Sequence, residues 1–130
     1  MVSNQATADG GCCTYISYEG SAQIMRVSQT PASVTQYKIL GGPGYEGYEV
    51  WFRFTTQQNI PHGVRKEISR EQLFTLKNSW YVGPRYLEKY GIETGKAYPC
   101  KLKVIKEGTC TPIVFEFDAI DSGDYFESRP

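Results

Sequence analysis

The sequence has one histidine, His62, and no formal net charge, since 14 basic residues balance 14 acidic ones. It also has no C-x-x-C pair, no internal repeat, no low-complexity segment and no apolar run near the roughly 20 residues that cross a bilayer. Each absence removes a class of function. A Ser/His/Asp or Cys/His arrangement would have to pass through His62, which lies between Pro61 and Gly63 in a polar stretch where a solvated imidazole is the ordinary outcome. Without net charge, no global field draws the chain to nucleic acid or to an anionic membrane, so neither is an expected partner. The missing apolar run argues for a soluble chain without membrane insertion. The missing C-x-x-C argues against a zinc site and a redox dithiol, so no metal and no cofactor is expected. Asp118, Asp121 and Asp124 lack the alternating D-x-D-x-D-G spacing of a calcium loop and read as a solvated exit from the last strand. Gly41-Gly42-Pro43-Gly44 precedes neither Lys-Ser/Thr nor a helix start, so it reads as a turn and not as a phosphate cradle.

What is present is β-rich. The stretch from Tyr98 to Ile120 contains two alternating apolar runs around Glu107-Gly108. Leu102 and Val104 alternate with Lys101 and Lys103, and Ile113, Phe115 and Phe117 alternate with Val114 and Glu116, so each run can bury one face of a hairpin. A two-residue loop at Glu107-Gly108 pairs Leu102 with Ile113 and Cys100 with Phe115. Upstream, Thr14 to Ser28 reads as one long strand whose buried side changes near Gly20, as a bulge at Glu19-Gly20 would produce. Residues 29–44 read as a loop with a short apolar contact at Ile39-Leu40, long enough to carry function. Tyr45 to Thr55 reads as a strand with Tyr48, Val50, Phe52 and Phe54 on one face and Glu49, Trp51 and Arg53 on the other.

Val64 to Ile68 reads as a short third strand. Ser69-Arg70-Glu71-Gln72 has the form of a capping box opening a helix. A second helical piece starts at Gly83-Pro84 and stops at Gly91, with Tyr86, Leu87 and Tyr90 on one face. The order is therefore long bent strand, strand, short strand, helix, strand, strand. A small five-stranded barrel of the oligonucleotide/oligosaccharide-binding (OB) type has this order, with its helix between strands 3 and 4. The competing architecture is an open antiparallel sheet with a helix packed on one face. No charged-then-apolar leader precedes Asp9-Gly10-Gly11. The expected organisation is a flexible arm over residues 1–11 and one β-rich domain over residues 12–130.

Of the four cysteines, Cys100 and Cys110 lie on opposite faces of the hairpin, roughly 17 Å apart at the usual strand rise. Disulfide Cα atoms must approach within about 7 Å. That argues against a Cys100–Cys110 bridge, and the adjacent Cys12 and Cys13 cannot reach both partners. At most one bridge fits.

Tyr15, Tyr18, Tyr45, Tyr48, Trp51, Trp80, Tyr81, Tyr86 and Tyr90 exceed what one small core readily hides. Trp51 and Arg53 share the face of their strand opposite its apolar set. Trp80 and Tyr81, with Arg85, fall in the irregular segment before the second helical piece. Aromatic-plus-guanidinium surfaces stack sugars, bases or protein partners. The expected function is a non-catalytic binding or interaction module whose site is Trp51, Arg53, Trp80, Tyr81 and Arg85, with a protein or carbohydrate-like ligand. The alternatives are an accessory or structural domain of an exported or cell-envelope assembly and, behind it, a small enzyme using His62 or a carboxylate pair. A periplasmic or secreted setting is slightly favoured over the cytoplasm, and an oxidised disulfide would strengthen that leaning. One bridge at most means that alkylation under denaturing, non-reducing conditions labels at least two cysteines. Protection of all four would reject the hairpin geometry.

Overall fold

The computed structural model describes residues 6–9 and 13–128. One strand, β2 (Cys13–Ser28), is shared by two halves of a sheet. Its first part, Thr14 to Gln23, pairs with β5 (Ala97–Glu107), and its last part, Ser21 to Ser28, pairs with β3 (Glu49–Thr55). Beyond β3 lies β4 (Gln72–Phe74) and beyond β5 lies β6 (Ile113–Phe117), giving the order β4-β3-β2-β5-β6 with every neighbour antiparallel. β1 (Ala6–Asp9) pairs with the start of β2 and falls within the N-terminal arm of the sequence reading; the rest of that arm lies outside the described residues. Short helices α1 (Pro31–Thr35), α2 (His62–Ile68) and α3 (Pro84–Tyr90) fill the connections. The protein is a β-rich α+β fold, and its antiparallel sheet curls into half a barrel around one core.

The curl has a local cause. A Cβ on Gly20 would lie 2.3 Å from the Thr55 carbonyl oxygen and 2.4 Å from the Phe54 ring, so only glycine lets β3 fold this closely over β2. The expected bulge at Glu19-Gly20 is nevertheless misplaced. The register shift between β2 and β3 falls between Ile24 and Arg26. Ile24 faces Phe52 and Val27 faces Val50, both toward the interior, so the extra residue Met25 is what moves the buried side from even to odd positions.

Three other expectations are corrected. Val64 to Ile68 belongs to α2 and not to a strand: Pro61 leads into the helix, and the Arg65 N–H donates to the Pro61 carbonyl at 2.9 Å. Ser69 ends that helix and does not start another. Its hydroxyl donates to the Lys66 carbonyl at 2.7 Å, and the Gln72 amide donates to the Glu67 and Arg70 carbonyls. The next residues become β4, from which Phe74 reaches the core. The stretch after Gln29 is not plain loop, because Thr30 and Ser33 form a capping box that opens α1, and a 3-10 turn follows at Gln36–Lys38. Helix α3 sits where the sequence places it, and Gly91 ends it in the left-handed region at φ 61°.

The hairpin is real, with its register displaced by two residues. Leu102 faces Phe115 and Cys100 faces Phe117, in place of Ile113 and Phe115. The connection is longer than a two-residue turn, closing where the Ile105 N–H donates to the Pro112 carbonyl at 2.8 Å. A shift of two preserves the alternation, so the same side chains face inward. The longer loop carries Cys110 across to Cys13, with Cα atoms 6.3 Å apart, and the Tyr15 hydroxyl donates to the Thr111 carbonyl beside it. Cys100 is a buried free thiol, and Cys12 lies outside the described residues.

Rings from facing strands close the interior. Phe52 meets Phe115 and Phe117 edge-on at 5.2 Å, and Phe74 meets Phe117 at 5.3 Å, although β4 and β6 share no backbone ladder. Phe115→Ala is expected to cost about 3 kcal/mol, the low end for a phenylalanine truncation because the ring is only partly buried. Glu116→Ala, which removes an outward pair with Lys103 at 2.9 Å, is expected to cost under about 1 kcal/mol. Equal denaturation midpoints for the two variants would reject the inward placement of Phe115.

Candidate functional site

The outer face of the sheet over β2, β3 and β4 carries Arg26, Trp51 and Leu73 in one cross-strand row. Trp51 is partly exposed, and the Arg26 guanidinium lies 4.8 Å from the centroid of its ring. The indole N–H donates to Glu49 Oε1 at 2.9 Å, and Glu49 Oε2 accepts the Thr30 hydroxyl at 2.8 Å. Arg26 is itself tied to Glu71 at 3.1 Å. The run Thr30, Glu49, Trp51, Arg26, Glu71 thus fixes the indole from its N–H edge and from one ring face. Arg53 stands two residues along on the same face, exposed, and forms no ion pair among the described residues. Leu73 is 36% exposed.

The other sequence-predicted residues lie in a different place. Trp80 packs against the core margin. Tyr81 is held through its backbone: its N–H donates to Gln36 Oε1 at 3.0 Å, and its carbonyl accepts the Tyr45 hydroxyl at 2.9 Å. Arg85 lies over the Phe126 ring at 5.4 Å, and its backbone N–H donates to Glu127. Among the described residues none of these contacts reaches Trp51 or Arg53, so the five residues fall into two separate groups. Asp124 also departs from the solvated exit expected of it. It accepts Lys89 at 2.5 Å and the Tyr90 hydroxyl at 2.7 Å, and those two bonds hold its carboxyl below the usual range. The C-terminal segment is a clasp over α3. The Tyr86 hydroxyl donates to the Asp121 carbonyl at 2.6 Å, and Glu127 accepts the Arg85 and Tyr86 N–H groups.

Sequence reasoning missed one surface. Ile39 and Leu40 are not an internal apolar contact: they are 64% and 102% exposed, beside Tyr37 at 41%. The buried side chains of Ser33 and Gln36 brace this loop, Ser33 through the Thr30 cap and Gln36 through Tyr81. The tip is therefore presented by a built support. The legible signal was an apolar pair with no periodic partners, followed directly by Gly41-Gly42-Pro43-Gly44.

His62 is exposed at the first position of α2. Among the described residues no three His, Cys, Asp or Glu side chains converge as metal ligands, and no helix is long and apolar enough to cross a membrane. No protein-family model, curated protein or solved structure matches the chain. The reading of the site rests on its geometry.

The buried ionisable groups set an alkaline limit. Burial pushes the Cys100 thiol from 9.0 to about 12. Burial, helped by the Glu127 charge, pushes Tyr45 to about 12, and burial with the hydrogen bond to Asp124 does the same for Tyr90. Burial pushes Tyr86 up as well. Each group is neutral in the fold and ionises more easily when unfolded. Their contribution is therefore full below about pH 9 and is lost as pH rises toward about 12. Denaturation midpoints are expected to hold near neutrality and fall steeply across that window. A flat profile there would contradict the burial of these groups.

Proposed function

We propose that the protein is a non-catalytic protein-interaction module built on an OB-like half-barrel, with its recognition patch on the outer face of β2, β3 and β4. The strand order supports the OB-like reading. A long first strand serves both sheet halves, and α3 falls between the third and fourth of the five strands in the sheet path, as in that barrel type.

The observation that carries the functional reading is the fixed, partly exposed Trp51 beside the uncommitted Arg53 and the exposed Leu73. An indole held by its hydrogen bond to Glu49 and by the Arg26 guanidinium over its ring, itself ion-paired to Glu71, loses little entropy on binding, which favours it as an anchor. Arg26 already occupies one face of the ring, so flat stacking by a sugar or a base is restricted. An indole rim, a leucine and a free guanidinium make up the chemistry of a protein hot spot. The Cys13–Cys110 disulfide favours an oxidising compartment, and so supports the second reading, that the module belongs to an exported or cell-envelope assembly.

The test is Trp51→Ala screened in parallel on peptide and oligosaccharide arrays. The variant is expected to lose the peptide ligands of the parent while its stability falls by less than about 1.5 kcal/mol, the ordinary range outside a core. A stability loss of about 3 kcal/mol or more would make Trp51 a packing residue. Ligands confined to the oligosaccharide array would replace the protein-partner reading with a carbohydrate one.

A further inference from the structure

The half-barrel is open along one line, between β4 and β6, and a groove of about 780 Å³ lies there. Phe52, Phe74, Phe115 and Phe117 supply its apolar floor, and residues 73–75 and 114–118 line it on the two sides. β4 pairs only with β3, and β6 only with β5, so each turns an unladdered edge to the groove. Unpaired N–H and C=O groups at a strand edge are a template for another strand.

Direction decides what fits. β4 opposes β3, β3 opposes β2, β2 opposes β5 and β5 opposes β6, so after these reversals β4 and β6 run the same way. One added strand running the opposite way would be antiparallel to both. Alternate side chains of that strand would rest on the phenylalanine floor, and the intervening ones would face solvent. The rim is acidic on the β6 side. Asp118 is exposed without an ion-pair partner among the described residues, and Asp121 is exposed beside it, against Lys77 on the β4 side. Glu116 is already matched by Lys103.

We infer that this seam is an acceptor slot for an extended segment of another polypeptide, alternating apolar and basic residues, which completes the barrel by pairing with β4 and β6 together. This is the strand-addition mode of recognition, in which backbone hydrogen bonds give affinity and the alternate side chains give selectivity. The slot adjoins the Trp51 patch, sharing Leu73 with it, and takes a different kind of contact, backbone pairing instead of a side-chain anchor.

The experiment uses the whole protein and a blocked eight-residue peptide alternating valine and lysine, read by amide hydrogen exchange and by titration. Two control peptides are a valine/glutamate alternation and a block-ordered peptide of the same valine/lysine composition. The alternating basic peptide is expected to protect amides of β4 and β6 at once and to bind about tenfold more tightly than the acidic one, as opposite rim charges require. Asp118→Lys, at an exposed position, is expected to remove most of that preference without changing the melting temperature. Protection absent from both edges, protection confined to β1, or equal binding of the block-ordered peptide would overturn the inference.

Discussion

The whole arrangement depends on one close approach, the packing of the Phe54 ring and the Thr55 carbonyl onto the bare backbone of Gly20. Gly20 lies just before the segment of β2 that pairs on both sides, with Ser21 to Gln23 laddered to β3 and to β5 together. A side chain there would hold the two strands apart and flatten the sheet. With the approach allowed, β3 and β5 fold toward each other, and the outermost strands come near enough for Phe74 to meet Phe117. The inner wall, the open seam and the outward row Arg26, Trp51 and Leu73 are all consequences of that curvature. Larger sheet twist and coiling at glycine and bulge positions is the usual route to a closed or nearly closed sheet.

How much of this was legible follows from where the physical signal was local. Strands β3, β5 and β6 carry strict alternation, and α3 carries both a proline start and a glycine stop, so their existence could be read directly. The elements that escaped were those decided by a neighbour. Gln72 to Phe74 is a strand because Trp51 and Val50 offer it a ladder, and nothing inside the tripeptide says so. Ser69-Arg70-Glu71-Gln72 satisfies a start motif on paper. The same serine and glutamine instead bond the carbonyls at the end of α2. A turn at Glu107-Gly108 alone implies a hairpin register two residues from the observed one, because the disulfide and the Tyr15 hydrogen bond draw the loop across to β2. Period two explains why that error left every inward residue correct.

The candidate site was half legible for a related reason. Alternation placed Trp51 and Arg53 on one face without any knowledge of the fold. It could not show that Arg26, far away in sequence, would take the ring face of Trp51 and leave Arg53 as the available cation. Trp80, Tyr81 and Arg85 were grouped with them on composition, and chain distance gave no reason to separate them. The fold places Trp80 at the core margin, Tyr81 in the support of the β2–β3 loop and Arg85 at the C-terminal clasp, and the last two are stitched by contacts across more than thirty residues.

The surplus of aromatics has the same resolution. Five of the six phenylalanines line the interior and the seam, and Phe126 packs under the C-terminal clasp. Four tyrosines, of which Tyr15, Tyr86 and Tyr98 are buried, place the hydroxyl on a backbone carbonyl: Tyr15 on Thr111, Tyr45 on Tyr81, Tyr86 on Asp121 and Tyr98 on Tyr90 and Gly91. Each such residue adds apolar burial and ties down a loop backbone that would otherwise depend on water. A count of tyrosines therefore measures how many loops are fastened to this small core more than it measures a binding surface. Trp51 departs from that pattern, since its polar edge is bonded to the Glu49 side chain on the solvent face and not to a buried carbonyl, so its placement serves the outer surface more than the core.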